Sequence, residues 1–173
     1  MKKLVAFLSV VFLMSCSAVR VNYDYDSTTN YSNYSTYGYY PDMQTGLSEF
    51  DTNRIIAAVD ATMQIKGIRF SEEPDFYINI ISDAYRTPQN STVGVGLGGG
   101  GRNLGGGISI GLPLGQSGEE RQISFDLVDS HKESLFWQAT STSNYNENAS
   151  PEAKEKKLQE IVNKVFEKYP PKS

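Results

Sequence analysis

The sequence predicts an α+β fold: a two-layer sandwich in which a mainly antiparallel sheet carries two amphipathic helices on one face, with a Gly-rich hairpin insert. Three observations lead there. Runs with period-two alternation of apolar and polar residues recur along the chain. Two segments switch to the 3.6-residue apolar period of a helix. Residues 93–115, with 11 glycines in 23 positions, interrupt the pattern. Helices with one apolar stripe each need a surface to cover, and strands joined by short turns supply one.

The first strand is predicted where Val19, Val21, Tyr23 and Tyr25 alternate with Arg20, Asn22, Asp24 and Asp26. A stretch rich in Tyr, Ser, Thr and Asn, Ser27 to Tyr40, reads as a turn and a second short strand that ends at Pro41. A helix follows. Ser48 and Asp51 have capping-box spacing, Ile55, Ile56, Val59 and Met63 form the stripe, and Gly67 suits the position past the end. Phe76, Ile78 and Ile80 begin the next strand. In the glycine segment, Val93, Val95 and Leu97, then Ile108, Ile110, Leu112 and Leu114, alternate with small residues. That pattern predicts a hairpin with one apolar face, weak because glycine leaves the other face bare. Ile123, Phe125 and Leu127 mark a further strand, and Leu135, Trp137 and Ala139 alternate around Phe136 and Gln138 in the last. The closing helix has Ser150 as cap and Pro151 at its first position. Its apolar face is Leu158, Ile161, Val162, Val165, Phe166 and Tyr169, and Pro170-Pro171 stops it.

The N-terminus carries the most specific signal. Lys2 and Lys3 precede an apolar run, Leu4 to Leu13, that ends in Leu13-Met14-Ser15-Cys16. A basic region, an apolar region and a small residue at the cut site make a secretory signal. The run is too short for the ~20 residues a spanning helix needs. The only cysteine of the chain stands just past the cut. The arrangement resembles the bacterial lipobox, in which the cysteine thiol receives diacylglycerol before cleavage and the new N-terminus is then acylated, palmitate being a usual chain. Residues 1–15 are thus expected to be a lipoprotein signal peptide, 16–18 a lipidated N-terminus with a short tether, and 19–171 one domain.

Composition narrows the function. Loss of Lys2 and Lys3 from 16 basic residues leaves 14 against 20 acidic ones, a net charge of −6. That balance argues against nucleic acid as a partner. With Cys16 lipidated no disulfide remains, so packing alone must hold the fold.

Several ordered motifs resemble the DUF4136 family of bacterial envelope lipoproteins of unknown function. They are Val21-Asn22-Tyr23-Asp24-Tyr25-Asp26, Tyr34-Ser35-Thr36-Tyr37, Arg54-Ile55 leading to Lys66-Gly67, and Pro74-Asp75-Phe76. The Gly-rich insert, Phe125-Asp126-Leu127-Val128-Asp129, Leu135-Phe136-Trp137 and Tyr169-Pro170-Pro171 complete the set. Tyr39-Tyr40-Pro41 and Gln138-Ala139 depart from it, where an aromatic such as Trp and Arg-Gly are common. The resemblance implies no catalytic residues.

Other candidate chemistry gives way to plainer readings. Gly94-Val95-Gly96-Leu97-Gly98-Gly99 fits GxGxxG, but more glycines follow where a dinucleotide site needs a helix. His131 is the only histidine; it lies in a polar turn near Asp126 and Asp129 with no nucleophile pattern beside it. One Cys and one His cannot make a structural zinc site. Asp24 and Asp26 lack the ligand ladder of a calcium loop. Asp26-Ser27-Thr28 resembles a short bacterial O-glycosylation acceptor. The tyrosines from Tyr23 to Tyr40 either stack a glycan or peptide or simply cover the sheet, and Trp137 is expected in the core. No metal, cofactor or catalytic residue is expected.

The reading is therefore a non-enzymatic scaffold or binding module of the cell envelope, lipidated at Cys16, with an envelope protein or a glycan as possible partner. Ser17 is not an acidic retention residue, and Ser17 to Arg20 lack an acidic export run, so the periplasmic face of the outer membrane is the expected address. Two rivals stand beside it: a membrane-inserting or self-assembling module that uses 93–115, and an enzyme of unrecognised type.

Overall fold

In a computed structural model, residues 19–85 and 120–172 are described. Cys16 and the Gly-rich 93–115 segment lie outside them. The elements are β1 (Arg20–Tyr25), a 3-10 turn (Tyr31–Asn33), β2 (Thr36–Tyr39), α1 (Glu49–Ile65), β3 (Arg69–Phe70), β4 (Phe76–Tyr85), β5 (Glu120–Asp129), β6 (Leu135–Asn144) and α2 (Pro151–Phe166).

The fold is α+β, and the described strands form one six-stranded sheet in the order β1-β6-β5-β4-β2-β3. Three neighbouring pairs are antiparallel, β1–β6, β6–β5 and β5–β4. β2 runs parallel to both β4 and β3. The two N-terminal strands do not pair with each other: β1 closes one edge beside β6, and β2 lies across the sheet beside β4. β2, α1 and β3 make a crossover, because a parallel return needs a connection long enough to span the sheet.

Helix ends follow their caps. Ser48 Oγ accepts from Asp51 N–H (3.2 Å), and Ser150 Oγ accepts from Ala153 N–H (3.3 Å). Gly67, at φ +77°, ends α1: its N–H donates to Gln64 O (3.0 Å) and Ile68 N–H to Met63 O (3.0 Å). Those two bonds satisfy carbonyls the helix would leave open. The helices lie side by side and parallel. Lys154 in the first turn of α2 stands 3.6 Å from Asp51 in the first turn of α1, and at the far end Lys66 Nζ donates to Tyr169 O (2.7 Å).

Both helices cover one face of the sheet. Beneath them lie Phe76, Ile78, Ile80, Ile123, Phe125, Leu127, Trp137 and Ala139, all buried. All six apolar residues of the closing segment, Leu158 through Tyr169, are buried as their spacing predicts. Phe166 stacks on Trp137 (centroids 5.5 Å apart) and meets Phe125 edge-on (5.7 Å).

One strand departs from simple alternation. Period two puts Leu135 inside and Phe136 outside, yet Phe136 is buried and Leu135 is 52% exposed. The cause is a register shift: Leu127 faces Trp137, but Val128 faces Leu135. The extra residue is a bulge that re-aims Phe136. Its ring stacks on Tyr34 (4.2 Å) and meets Phe76 edge-on (5.7 Å).

The register gives the sheet two distinct ends. Arg20 pairs with Thr142, Glu120 with Asn144, and Tyr85 with Glu120 at one end. Tyr25 and Trp137, and Phe76 and Asp129, gather at the other.

Candidate functional site

At the Asp129 end, the turn after β1, the start of β2 and the β5–β6 turn enclose a polar cleft of about 230 Å³. Thr29, Asn30, Asn33, Tyr34, Asp75, Asp129, His131 and Lys132 line it. Asp129 is its hub. Oδ1 accepts from the N–H of His131 (2.9 Å) and of Lys132 (2.8 Å), a turn geometry that Asp favours. Oδ2 accepts from the Tyr34 hydroxyl (2.8 Å), with Lys132 Nζ at 3.7 Å. Burial works to raise the carboxyl's pKa; the Lys132 N–H, the Tyr34 hydroxyl, the His131 N–H and the Lys132 charge outweigh it and hold it below the usual range. Burial and the same hydrogen bond push Tyr34 up.

Asp75 forms the opposite wall. Its Oδ2 accepts from Ser35 N–H (2.8 Å), Ser35 Oγ (3.0 Å) and Thr36 N–H (2.9 Å). Burial opposes the charged form here too, and these bonds win, so the carboxyl stays low. Asn30 caps the 3-10 turn through Ser32 N–H. Both carboxylates are engaged in holding loops together. The Asn, Thr, His and Lys groups on the walls leave a surface suited to hydrogen-bonding a polar ligand.

A second, more apolar cleft of about 460 Å³ runs along the outer side of the helices, lined by Phe50, Asn53, Arg54, Ala57, Ala58, Glu155 and Gln159. Phe50 is 74% exposed there. Beneath its Arg54 end buried Asp51 meets two half-buried cations. Asp51 pairs with Arg54 (2.7 Å) and Lys154 (3.6 Å). Close to the Arg20 end of the sheet, buried Arg121 pairs with Glu147, donates to Ser82 Oγ (3.0 Å) and sits 5.1 Å from the Tyr145 ring centroid.

The sequence candidates separate. His131 is exposed in its turn, and its backbone N–H, not its imidazole, meets Asp129. Asp126 accepts from Gln138 Nε2 (2.6 Å) on the uncovered face of the sheet, so no triad forms. Asp24 is exposed, while Asp26 folds its own turn by accepting from Thr28 N–H, Thr28 Oγ1 and Thr29 Oγ1. The tyrosines divide as well. Tyr31, Tyr34, Tyr37 and Tyr39 pack ring against ring with Phe70, Phe76, Phe136 and Tyr169, whereas Tyr25 and Tyr40 are 46% and 41% exposed. Tyr37 and Tyr39 both donate to Asp60 Oδ1 at 2.7 Å and so tie β2 to α1. Trp137 is core, 1% exposed. Among the described residues, no group of three His, Cys, Asp or Glu is placed to hold a metal.

The Asp129–Tyr34, Asp51–Lys154 and Arg121–Glu147 links escape sequence reading. A local signal existed only for the Asp129 turn, in Asp129-Ser130-His131-Lys132; the partners of the others lie far along the chain.

The family described as "Domain of unknown function (DUF4136)" matches residues 21–171. No curated protein matches the sequence. A solved PDZ domain protein from Parabacteroides distasonis is similar at TM-score 0.60 and 11% identity, over 99% of this chain and 41% of that one. This chain therefore spans well under half the length of that protein. A PelC dodecamer from Paraburkholderia phytofirmans is similar at TM-score 0.50 and 10% identity, over 86% of this chain and 95% of that one. At such identities the likeness is one of fold alone.

Proposed function

This chain belongs to the DUF4136 family, and from that premise we propose that it is a lipid-anchored, non-enzymatic scaffold or binding module of the bacterial cell envelope. Acyl chains on Cys16 hold it at the periplasmic face of the outer membrane, and its partner is an envelope protein or a glycan. The observation that carries the reading is Leu13-Met14-Ser15-Cys16 behind Lys2, Lys3 and an apolar run, with the chain's only cysteine at its end. Several acyl chains at ~0.8 kcal/mol per buried CH₂ make a durable anchor.

The fold supports it in two ways. Val19 is buried and β1 begins at Arg20, so only Ser17 and Ala18 separate the anchor from the domain, three residue steps from Cys16 to Val19. They reach at most about 11 Å, which keeps the Arg20 end close to the bilayer. The polar cleft, with its carboxylates already engaged by backbone and tyrosine, suits recognition better than proton transfer.

Intact-mass analysis of the mature N-terminus tests the anchor. Cys16 is expected to carry diacylglycerol and an N-acyl chain, and Cys16→Ser to release a folded domain from the membrane fraction. An unmodified Cys16 overturns the proposal.

One observation favours a second reading, a membrane-inserting module. Tyr85 and Glu120, which flank the segment containing 93–115, are paired at the same end of the sheet as Arg20. The anchor and the alternating apolar rows thus connect to the domain at the same end.

A further inference from the structure

We propose that the β1 edge, unpaired among the described residues, pairs antiparallel with the same edge of a second copy of this chain, giving an isologous dimer with one continuous sheet. The proposal stands apart from lipidation and rests on the described strands alone.

The two edges of the sheet are unlike. Soluble proteins blunt edge strands by making them short or by placing Lys, Pro or a bulge in them. The β3 edge is two residues long. β1 has six residues, Arg-Val-Asn-Tyr-Asp-Tyr, with no Lys and no Pro, in unbroken register with β6 from Arg20–Thr142 to Tyr25–Trp137. It is a long, regular edge with none of those devices.

Its phase is fixed. Asp26 N–H donates to Phe136 O (2.9 Å), one step beyond the last paired residues. In an antiparallel ladder bonded and non-bonded pairs alternate. Asp24, Asn22 and Arg20 therefore turn their backbone groups toward β6, and Val21, Tyr23 and Tyr25 turn theirs outward. Among the described residues no backbone group meets them. Their side chains are only partly covered, Tyr25 at 46% exposed.

The strand is complementary to itself. A two-fold axis through Tyr23 sets Tyr23 against Tyr23 and Val21 against Tyr25 of the second copy, all through outward backbone groups. On the uncovered face the same register sets Asn22 against Asp24 and brings Arg20, whose guanidinium pairs with Glu120 of its own chain (2.7 Å), opposite Asp26. Aromatic, aliphatic–aromatic, amide–carboxylate and opposite-charge pairs are the favourable cross-strand combinations, and within the paired strands no like charges face each other. Shifting the register by one alternation in one direction puts Asp24 on Asp24; in the other it sets Asn22 on Asn22 and moves Arg20 from Asp26 to Asp24. On the helix side the flank is mixed in sign: Lys164 pairs with Glu167 (2.6 Å), and Lys168 Nζ lies 4.8 Å from the Tyr23 ring centroid. A two-fold contact needs such self-complementarity.

Sedimentation analysis of the purified full chain carrying Cys16→Ser, in mild detergent, tests the dimer. A concentration-dependent monomer–dimer equilibrium is expected. Val21→Pro removes an outward N–H and trades a side chain that is only partly packed against the core, so the β1–β6 ladder should stay and the thermal midpoint fall little while dimerisation weakens by at least about tenfold. Arg20→Asp places like charges against Asp26 and should weaken it in a salt-dependent way; this variant decides the matter if Val21→Pro fails to fold. A wild-type chain that is monomeric at every concentration, or a dimer indifferent to the foldable variants, overturns the proposal.

Discussion

Gly46 and Gly67 both hold positive φ, at +70° and +77°, but their surroundings set different costs for a side chain. A Cβ on Gly67 would meet nothing within 4 Å, so Gly67→Ala should cost only the left-handed penalty of about 1 kcal/mol. A Cβ on Gly46 would stand 2.5 Å from Ser82 O, and Ser82 N–H is bonded to Thr45 O (2.8 Å). Gly46→Ala must therefore push the segment off β4 as well. Its expected loss exceeds that of Gly67→Ala by about 1–3 kcal/mol, the cost of leaving buried backbone groups unpaired, and urea melts of the two variants check the order. Sequence reading found Gly67, because the helix that it ends lies beside it. It missed Gly46, because the oxygen that forbids a side chain there belongs to a residue 36 positions away.

Acid sensitivity belongs to the same scale. Asp26, Asp51, Asp75 and Asp129 are all held below the usual carboxylate range, at Asp129 by hydrogen bonds that outweigh burial. A lowered folded-state pKa means that the unfolded chain takes up protons first as the pH falls. The stability these groups contribute is then complete above the ordinary carboxylate value of about 3.9 and is lost as the pH drops through the lower folded values. Unfolding free energies measured from about pH 7 to pH 2 should fall below about pH 4. Asp129→Asn should lower stability at neutral pH by about 1–3 kcal/mol, as a buried pair loses its partner, and flatten the acid slope. An unchanged slope would show that the Asp129 turn carries none of it.

Among the elements, α2 was the most legible. A cap, a proline at the first turn and apolar residues at helical spacing all pointed to the same helix, whose last turn closes at Phe166, leaving Tyr169 just beyond it ahead of Pro170-Pro171. Five of the six apolar side chains on that face are completely buried, and Tyr169 nearly so. Val162→Asp removes about 1.5–3 kcal/mol of burial and adds several kcal/mol for a carboxylate enclosed by the core. Against a total of about 5–15 kcal/mol, that should unfold the domain at room temperature. Lys156→Asp on the exposed side should move the thermal midpoint little, and circular dichroism distinguishes the two. The bulge in β6 was not legible. Alternation reports period, and a one-residue insertion is visible only once β5 is laid alongside. Nor could period two say that β1 and β2 sit at opposite sides of the sheet. That choice is made by α1, whose length carries the chain from β2 to its parallel neighbour, and by Tyr37 and Tyr39, which bind Asp60 on α1.

For the molecule as a whole, the most consequential fact is the pairing of Tyr85 with Glu120. The two strands that bracket the Gly-rich segment are in direct register to their last residues, so a two-residue turn can join them where 34 residues now do. Among the described residues, β4, β5, β6 and the two helices already share one buried core. Replacing residues 86–119 by Asn-Gly should leave the thermal midpoint within a few degrees of wild type and, on the lipid-anchor reading, leave Cys16-dependent membrane fractionation intact. The same variant discriminates between the two functional readings. Cys16→Ser chains with and without residues 86–119 are incubated with anionic phospholipid vesicles and floated. If neither floats, the lipid at Cys16 is the whole attachment and the scaffold reading stands. If only the chain that retains the segment floats, the apolar rows from Val93 to Leu97 and from Ile108 to Leu112 make the contact, and the inserting module replaces it.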